Sequence, residues 1–168
     1  LSLTLPALAT NTEQYQFKGQ NAFASFYQYD KCNSTYVDVY AFDNLTKSAP
    51  GAPTSQKEAY LYYSNYNYCT GTGSSGYGSS TNASFTTSQM NSANLNGTFT
   101  VTDDLSGNTK TVDVNLTWTG TGDTYRGNYH GHSQGPGYRS NYRSVGASRE
   151  AEVSGNVTSN GTNVIANL

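Results

Sequence analysis

The sequence has few charged residues, which make up 12% of its 168 positions. Its nine Lys and Arg residues are scattered, and eleven Asp and Glu residues leave a formal net charge of -2 and a pI near 5.5. Proteins that bind DNA or RNA concentrate basic residues where they neutralise phosphate groups. The composition therefore argues against a nucleic-acid partner.

Long hydrophobic runs are also missing, and no apolar run approaches the roughly 20 residues of a membrane-spanning helix. Hydrophobic residues make up only 35% of the chain, and no segment has the pattern of a long amphipathic helix. Thr, Ser, Asn, Gly and Tyr fill the remainder, with 15 Tyr and 17 Gly. Tyr and Thr favour strands while Gly, Asn and Ser favour turns, so the composition predicts a single all-β domain.

The clearest local signal is the alternation in residues 111–119. Val112, Val114, Leu116 and Trp118 fall on one parity, and Thr, Asp and Asn residues fall on the other. A strand points successive side chains to opposite faces, so this pattern predicts the central strand of an antiparallel sheet. About ten strand-like segments joined by short turns, without βαβ alternation, predict an antiparallel β-sandwich of Greek-key or jelly-roll type, or a barrel.

Four further elements are predicted from the spacing of apolar and turn-forming residues. Residues 22–29 and 36–42 are expected to form a hairpin, with the Val and Ala side chains of its second strand facing inward. Gly120–Gly122 is predicted to be a turn, and Asn160–Gly161 is a strong signal for a tight hairpin. Residues 70–82, rich in Gly and Ser, are predicted to be a flexible surface loop.

The chain has two cysteines, Cys32 and Cys69, each beside a strand-like segment. In a polar β-rich chain an even cysteine count favours one disulfide and an oxidising compartment, with two buried free thiols as the alternative. We therefore expect a secreted, extracellular or cell-surface protein. Asn-x-Ser/Thr sites would permit N-glycosylation there, at Asn33, Asn44, Asn82, Asn96, Asn115, Asn156 and Asn160.

The first ten residues alternate as well, and their apolar face consists of Leu1, Leu3, Leu5, Ala7 and Ala9. Residues 7–9 also fit the small-x-small end of a signal peptide, but no basic segment precedes them. We expect residues 1–10 to be a strand, since an apolar terminal segment is ordered only where it docks. The groove that receives it belongs either to its own domain, residues 11–168, or to a neighbouring copy.

His130 and His132 are the only histidines, and residues two apart on a strand face the same way, so both rings could bind one metal ion. Arg126 and Asn128 fall on that same face, where a cation disfavours a divalent metal. A second candidate is a calcium ion in the loop of Asp103 to Asn108. We expect neither a catalytic metal nor another cofactor.

The sequence offers little for catalysis. Glycoside hydrolysis needs two carboxylates that face each other across a cleft, and the acidic residues are spread over turns and polar strand faces. The charges of residues 149–152 are interpreted as surface ion pairing. Residues 131–135 read Gly-His-Ser-Gln-Gly and so fit the Gly-x-Ser-x-Gly pattern, but that motif presents a nucleophile on a turn between a strand and a helix, and no segment has the pattern of a long helix. We therefore expect that the protein is not an enzyme.

The tyrosines are the remaining feature, and the densest group is Tyr60, Tyr62, Tyr66 and Tyr68 on one strand face. Exposed aromatic side chains of this kind stack on sugar rings or anchor protein contacts. The alternative is that they pack between sheets with their hydroxyl groups at the rim.

Two hypotheses for the function follow. The first is a secreted structural protein, the subunit of an extracellular filament or surface assembly, which joins copies of itself by β-strand exchange through residues 1–9. The second is a monomeric carbohydrate-binding or adhesion module that uses its exposed tyrosines.

Overall fold

A computed structural model describes residues 11–48, 52, 54–80, 82–135 and 138–164. Within these residues the chain forms nine strands and no helix. The strands are β1 (Asn11–Asp30), β2 (Asn33–Ser48), β3 (Thr54–Asn67), β4 (Thr72–Ser80), β5 (Ser84–Ser88), β6 (Ser92–Asp103), β7 (Thr109–Gly135), β8 (Tyr138–Ser159) and β9 (Thr162–Asn163). The strand predicted for residues 1–10 lies outside the described residues.

All nine strands belong to one sheet with the order β1-β2-β3-β4-β6-β7-β8-β9, and β5 pairs with β6. Neighbours are antiparallel except β1 and β8, whose residues 11–16 and 138–143 pair in parallel. The sheet does not close, because β1 and β8 have no pairing with each other beyond these residues. The prediction of an all-β, antiparallel fold is confirmed for the described part of the chain.

The prediction of a central strand is confirmed as well. β7 lies between β6 and β8, and Val112, Val114, Leu116 and Trp118 are all buried. They belong to one hydrophobic cluster, which also contains Ala22, Ala24, Val37, Val39, Ala41, Ala59, Leu61, Tyr63, Phe85, Ala93, Leu95, Phe99, Val101 and Val157. Strands from both ends of the sheet therefore turn their apolar faces to the same core.

The predicted hairpin of β1 and β2 is confirmed, with Ala22 opposite Ala41 and Ala24 opposite Val39. Cys32, in the turn after β1, forms a disulfide with Cys69, in the turn after β3. The bond closes a loop with a sequence separation of 37, for which the usual stabilisation is roughly 2–4 kcal/mol. Two neighbouring turns are thus joined at one end of the sheet.

The prediction of a flexible loop for residues 70–82 is wrong, because residues 72–80 form β4. Gly76 and Gly78 are buried, and a Cβ atom added to them would lie 1.9 Å from Thr102 O and 2.8 Å from Thr100 O, respectively. Only glycine allows the backbones of β4 and β6 to approach this closely. A composition typical of a loop here serves the packing of two strands.

The prediction of a turn at Gly120–Gly122 is also wrong, because β7 continues through these residues. The β7–β8 register shifts between Thr121 and Tyr125, which forms a bulge in which Gly122 has a φ of 62°. Arg149 Nε donates hydrogen bonds to Thr121 O at 3.3 Å and Gly122 O at 3.1 Å. The interpretation of Arg149 as part of a surface ion pair is therefore wrong, since its guanidinium binds the bulge.

The close approach of β4 and β6 predicts different costs for two Gly→Ala substitutions. Gly76→Ala places a methyl group against Thr102 O, and we expect a loss of about 1–3 kcal/mol or more in unfolding free energy. Gly127→Ala is the control, because nothing lies within 4 Å of its added Cβ atom, and a change within about 0.5 kcal/mol is expected. Urea denaturation measures both; equal effects would contradict the role given to Gly76.

Candidate functional site

The outer surface of β1 to β4 is covered by aromatic side chains, which we call the aromatic face. These residues have the opposite parity to the buried Ala, Val, Leu and Gly residues of the same strands, so the strand alternation turns them away from the core. The aromatic face consists of Phe23, Tyr27, Tyr29, Tyr36, Tyr40, Phe42, Tyr60, Tyr62, Tyr66, Tyr68 and Tyr77.

The predicted group of tyrosines lies within this face: Tyr60, Tyr66 and Tyr68 are exposed and Tyr62 is half-buried. Tyr62 lies opposite Tyr77 of β4, and their ring centroids are 4.7 Å apart. The rings of Tyr66 and Tyr68 are 4.9 Å apart in an edge-on arrangement. These rings pack on one another on the outside of the sheet, and the alternative of packing between sheets does not apply to them.

Two carboxylates lie among the rings. Tyr36 donates a hydrogen bond to Asp38 Oδ2 at 2.8 Å, and the other oxygen of Asp38 is buried with no hydrogen-bond partner. Tyr60 donates to Glu58, which lowers the pKa of Glu58 and raises the pKa of Tyr60. The aromatic face therefore combines ring surfaces with hydrogen-bond acceptors.

The outer surface of β6 to β8 is polar instead. Asn96, Asn115 and Asn156 lie side by side across these three strands, and all three are exposed. Of the other predicted glycosylation sites, Asn82 and Asn160 are exposed while Asn33 and Asn44 are half-buried. Asn33 also accepts a hydrogen bond from Asn67 and donates one to Asp30, so its amide is already engaged.

A second feature is an open cleft of about 820 Å³ between β1 and β8, which we call the β1–β8 cleft. Its walls are Gln20–Phe23 of β1 and Gly146–Ala151 of β8, and Ala93 and Trp118 line it as well. Among the described residues, no strand pairs with β1 on this side after Gln16, or with β8 on this side between Arg143 and Thr158. Within the described part of the chain, both walls of the cleft therefore have strand edges that pair with no other strand.

Trp118 and Arg149 hold the cleft in shape. Trp118 Nε1 donates a hydrogen bond to Phe23 O at 2.9 Å, which joins the centre of the sheet to the open edge of β1. Arg149 Nη1 donates to Asn91 Oδ1 at 2.9 Å and so connects β8 to the turn between β5 and β6. The β1 wall is thus hydrogen-bonded to β7, and the β8 wall is hydrogen-bonded to the turn between β5 and β6.

Beyond the bulge, β7 and β8 continue as a ribbon, residues 122–135 and 138–148, which we call the β7–β8 arm. Residues 11–16 of β1 pair with the far end of this arm. The side chains at 122–130 and 146–148 are all exposed, so neither face of the arm is covered there. His130 and His132 lie on this arm and are both exposed. No group of three or more His, Cys, Asp or Glu side chains that could hold a metal ion occurs in the described residues.

In the loop considered as a calcium site, the carboxylate of Asp103 accepts hydrogen bonds from the protein itself. Asp103 Oδ1 accepts hydrogen bonds from the Ser106 amide at 2.6 Å and the Ser106 hydroxyl at 2.7 Å. These bonds hold the pKa of Asp103 well below its usual range. The carboxylate therefore stabilises the turn between β6 and β7.

No family model, no curated protein and no solved structure matches the chain. The described residues contain no helix with the length and hydropathy needed to cross a bilayer. The class of the protein is thus defined by its own architecture: an all-β sheet with an aromatic outer face and an open cleft between two strand edges.

The β1–β8 cleft is the feature that the sequence pattern does not reveal. It depends on which strands pair, and its walls come from the first strand and from the second-to-last strand. The only local signal is Trp118, because a buried indole needs an acceptor for its N–H group. The acceptor, Phe23 O, is a backbone atom that no side-chain pattern identifies.

The lowered pKa of Asp103 predicts a pH-dependent contribution to stability. An ionised carboxylate with a folded pKa below its unfolded value of about 4 stabilises the protein above that pH, and the contribution is lost as pH falls towards the folded pKa. We expect Asp103→Asn to lower the Tm at pH 7 and the difference from the natural protein to narrow by about pH 2. Asp123→Asn, on the exposed arm, is the control, and a difference that does not vary with pH would contradict the assignment.

Proposed function

We propose that the protein is a structural subunit of an extracellular filament or surface assembly, and that copies join by β-strand addition in the β1–β8 cleft. The observation that carries this proposal is the pair of unpaired strand edges on the two walls of the cleft. Exposed edges are templates for pairing with another chain, and β-strand addition is a common mode of recognition.

The direction of the walls suits an inserted strand. β1 and β8 are parallel to each other where they pair, so one strand placed between them after Gln16 and Arg143 can bond to both. Ala22, Ala93 and Trp118 provide an apolar lining on the core side of that position. An inserted strand would thereby bond to both edges, except at Phe23 O, which already accepts from Trp118, and would bury its own apolar side chains.

The β7–β8 arm gives independent support. Where residues 125–129 pair with residues 144–148, the described part of the arm has only two strands, a form that is marginally stable alone. At residues 122–130 and 146–148 the arm also has no covering layer on either face. Contact with a neighbouring subunit would bury such a ribbon. A subunit that presents both an open cleft and an exposed arm has the surfaces that an assembly needs.

The proposed location is outside the cell. The disulfide between Cys32 and Cys69 supports an oxidising compartment. Residues 11–168 would form the folded domain, in which the sheet folds over its single core as a sandwich. Residues 1–10 would form the donor-strand extension. The exposed Asn-x-Ser/Thr sites support a surface that tolerates glycosylation.

A charge in the cleft tests whether copies associate there. Ala151 is exposed and lines the cleft, so Ala151→Lys would place an unpaired ammonium group where a strand must insert. We expect light scattering to show association of the natural protein with rising concentration, and Ala151→Lys to raise the midpoint concentration at least about tenfold.

The matched control is Ala52→Lys, which adds the same charge at an exposed residue that does not line the cleft. It should associate like the natural protein, and electron microscopy of the same samples shows the form of the assemblies. A natural protein that stays monomeric at every concentration would refute the proposal.

The aromatic face favours a second candidate function, a monomeric carbohydrate-binding or adhesion module. Sugar rings present C–H groups that stack on aromatic rings, and their hydroxyl groups donate to carboxylates such as those of Asp38 and Glu58. The large exposed aromatic surface is of the kind that marks interaction sites.

Removing one ring tests this candidate. Tyr77 is 68% exposed on the aromatic face, and Tyr125 is 65% exposed on the β7–β8 arm, so Tyr125→Ala is a matched control for Tyr77→Ala. If cellulose, chitin or xylan binds to the face, Tyr77→Ala should weaken binding about 2- to 10-fold, the value of one aromatic stack. Equal effects of the two substitutions in pull-down assays would exclude the face as the binding site.

A further inference from the structure

We infer that the β1–β8 cleft receives residues 1–5 of a second copy of this chain, so that each subunit is at once a donor and an acceptor. The inference rests on the proposed function and names the segment and the copy from which it comes. It is supported by the chemistry of the cleft, by the place of Pro6 and by the reach of the N-terminal residues.

The chemistry of the segment suits the cleft. Leu1, Leu3 and Leu5 share one strand face, which would lie against Ala93 and Trp118, while Ser2 and Thr4 would face outward. The backbone of the segment would bond to the open edges of β1 and β8. No side chain with a charge would enter the cleft, since residues 1–10 contain none.

Pro6 sets the limit of the paired segment. Proline has no N–H group, so it cannot donate to a neighbouring strand and is excluded from positions paired on both sides. The stretch that can pair on both edges therefore ends at Leu5, and Pro6 marks the point where the donor leaves the cleft.

The course of β1 favours a donor from another copy, because the N-terminal segment of the same chain does not reach the whole length of the cleft wall. Asn11 pairs with Tyr138 at the far end of the β7–β8 arm, so the chain before Asn11 starts from the end of β1 that is remote from the cleft. Asn11 is about 30 Å from Gln20 along a strand at 3.3 Å per residue. Residues 1–10 span at most about 36 Å when fully extended, so after turning back they reach no farther than Gln20 and leave the cleft wall at Ala22 and Phe23 unpaired.

A contact between the N-terminal segment of one copy and the cleft of another is heterologous, because it uses two different surfaces. Such contacts propagate into an open filament unless the rotation between subunits closes a ring. In such a filament, the cleft of every subunit would be filled except that of the subunit at one end. The geometry thus defines a polarity, with a free N-terminal segment at one end and an empty cleft at the other.

Two full-length variants separate the donor from the acceptor. Leu3→Asp places a charge on the apolar face of the donor and leaves the cleft intact, while Ala151→Lys blocks the cleft and leaves the donor intact. Thr4→Asp is the control for the first variant, because it adds the same charge on the outward face. Near-ultraviolet circular dichroism of Trp118 checks that each variant keeps the native core.

We expect each variant alone to be monomeric by light scattering at concentrations where the natural protein and Thr4→Asp form polymers. The equimolar mixture should form dimers of doubled mass and no larger species, because only one functional donor meets one functional acceptor. Dimers in the mixture would establish exchange between copies, and their absence would overturn it.

The outcome for Leu3→Asp separates this inference from the proposed function. If Leu3→Asp polymerises as the natural protein does while Ala151→Lys does not, another strand fills the cleft, and the assembly function stands without this donor. If the natural protein forms no polymers, the proposed function itself fails.

Discussion

The hydrogen bond from the Trp118 indole to the carbonyl of Phe23 joins β7 to β1 through two residues that are 95 positions apart in sequence. It brings the open edge of β1 across the core to β7 and uses a backbone acceptor that would otherwise pair with a neighbouring strand. β1 therefore stays close to β8 without pairing to it beyond Gln16. Trp118 and Phe23 both line the cleft, so this hydrogen bond fixes the distance between the wall formed by β1 and the floor formed by β7.

The inner and outer faces of the sheet carry different side chains, and the outer face itself has two parts. Inside, small residues such as Ala24, Val39 and Gly76 leave room for strands to share one core. Outside, large rings cover β1 to β4, while Asn and Thr side chains cover β6 to β8. Low overall hydrophobicity thus coexists with a large exposed aromatic surface, because the aromatic residues are concentrated on one part of the sheet.

The sequence predicted those features that depend on local alternation. The buried parity of residues 112–118, the β1–β2 hairpin and the position of the tyrosines on one strand face all follow from side chains pointing alternately to two faces. Features that depend on contact between distant strands could not be predicted. The local sequence around Gly76 predicts a loop, because the reason for glycine there is the close approach of the distant strand β6. The local sequence around Arg149 predicts a surface charge, because its acceptors are backbone carbonyls of a bulge in another strand.

The parallel pairing of β1 and β8 has a mechanical consequence. Tension applied through the residues before Asn11 would act along the axis of β1, parallel to the ladder of residues 11–16 and 138–143. The backbone hydrogen bonds of that ladder would then be loaded together in shear, instead of being peeled apart one after another. The disulfide between Cys32 and Cys69 adds a limit on extension, because the chain between the two cysteines cannot lengthen under load.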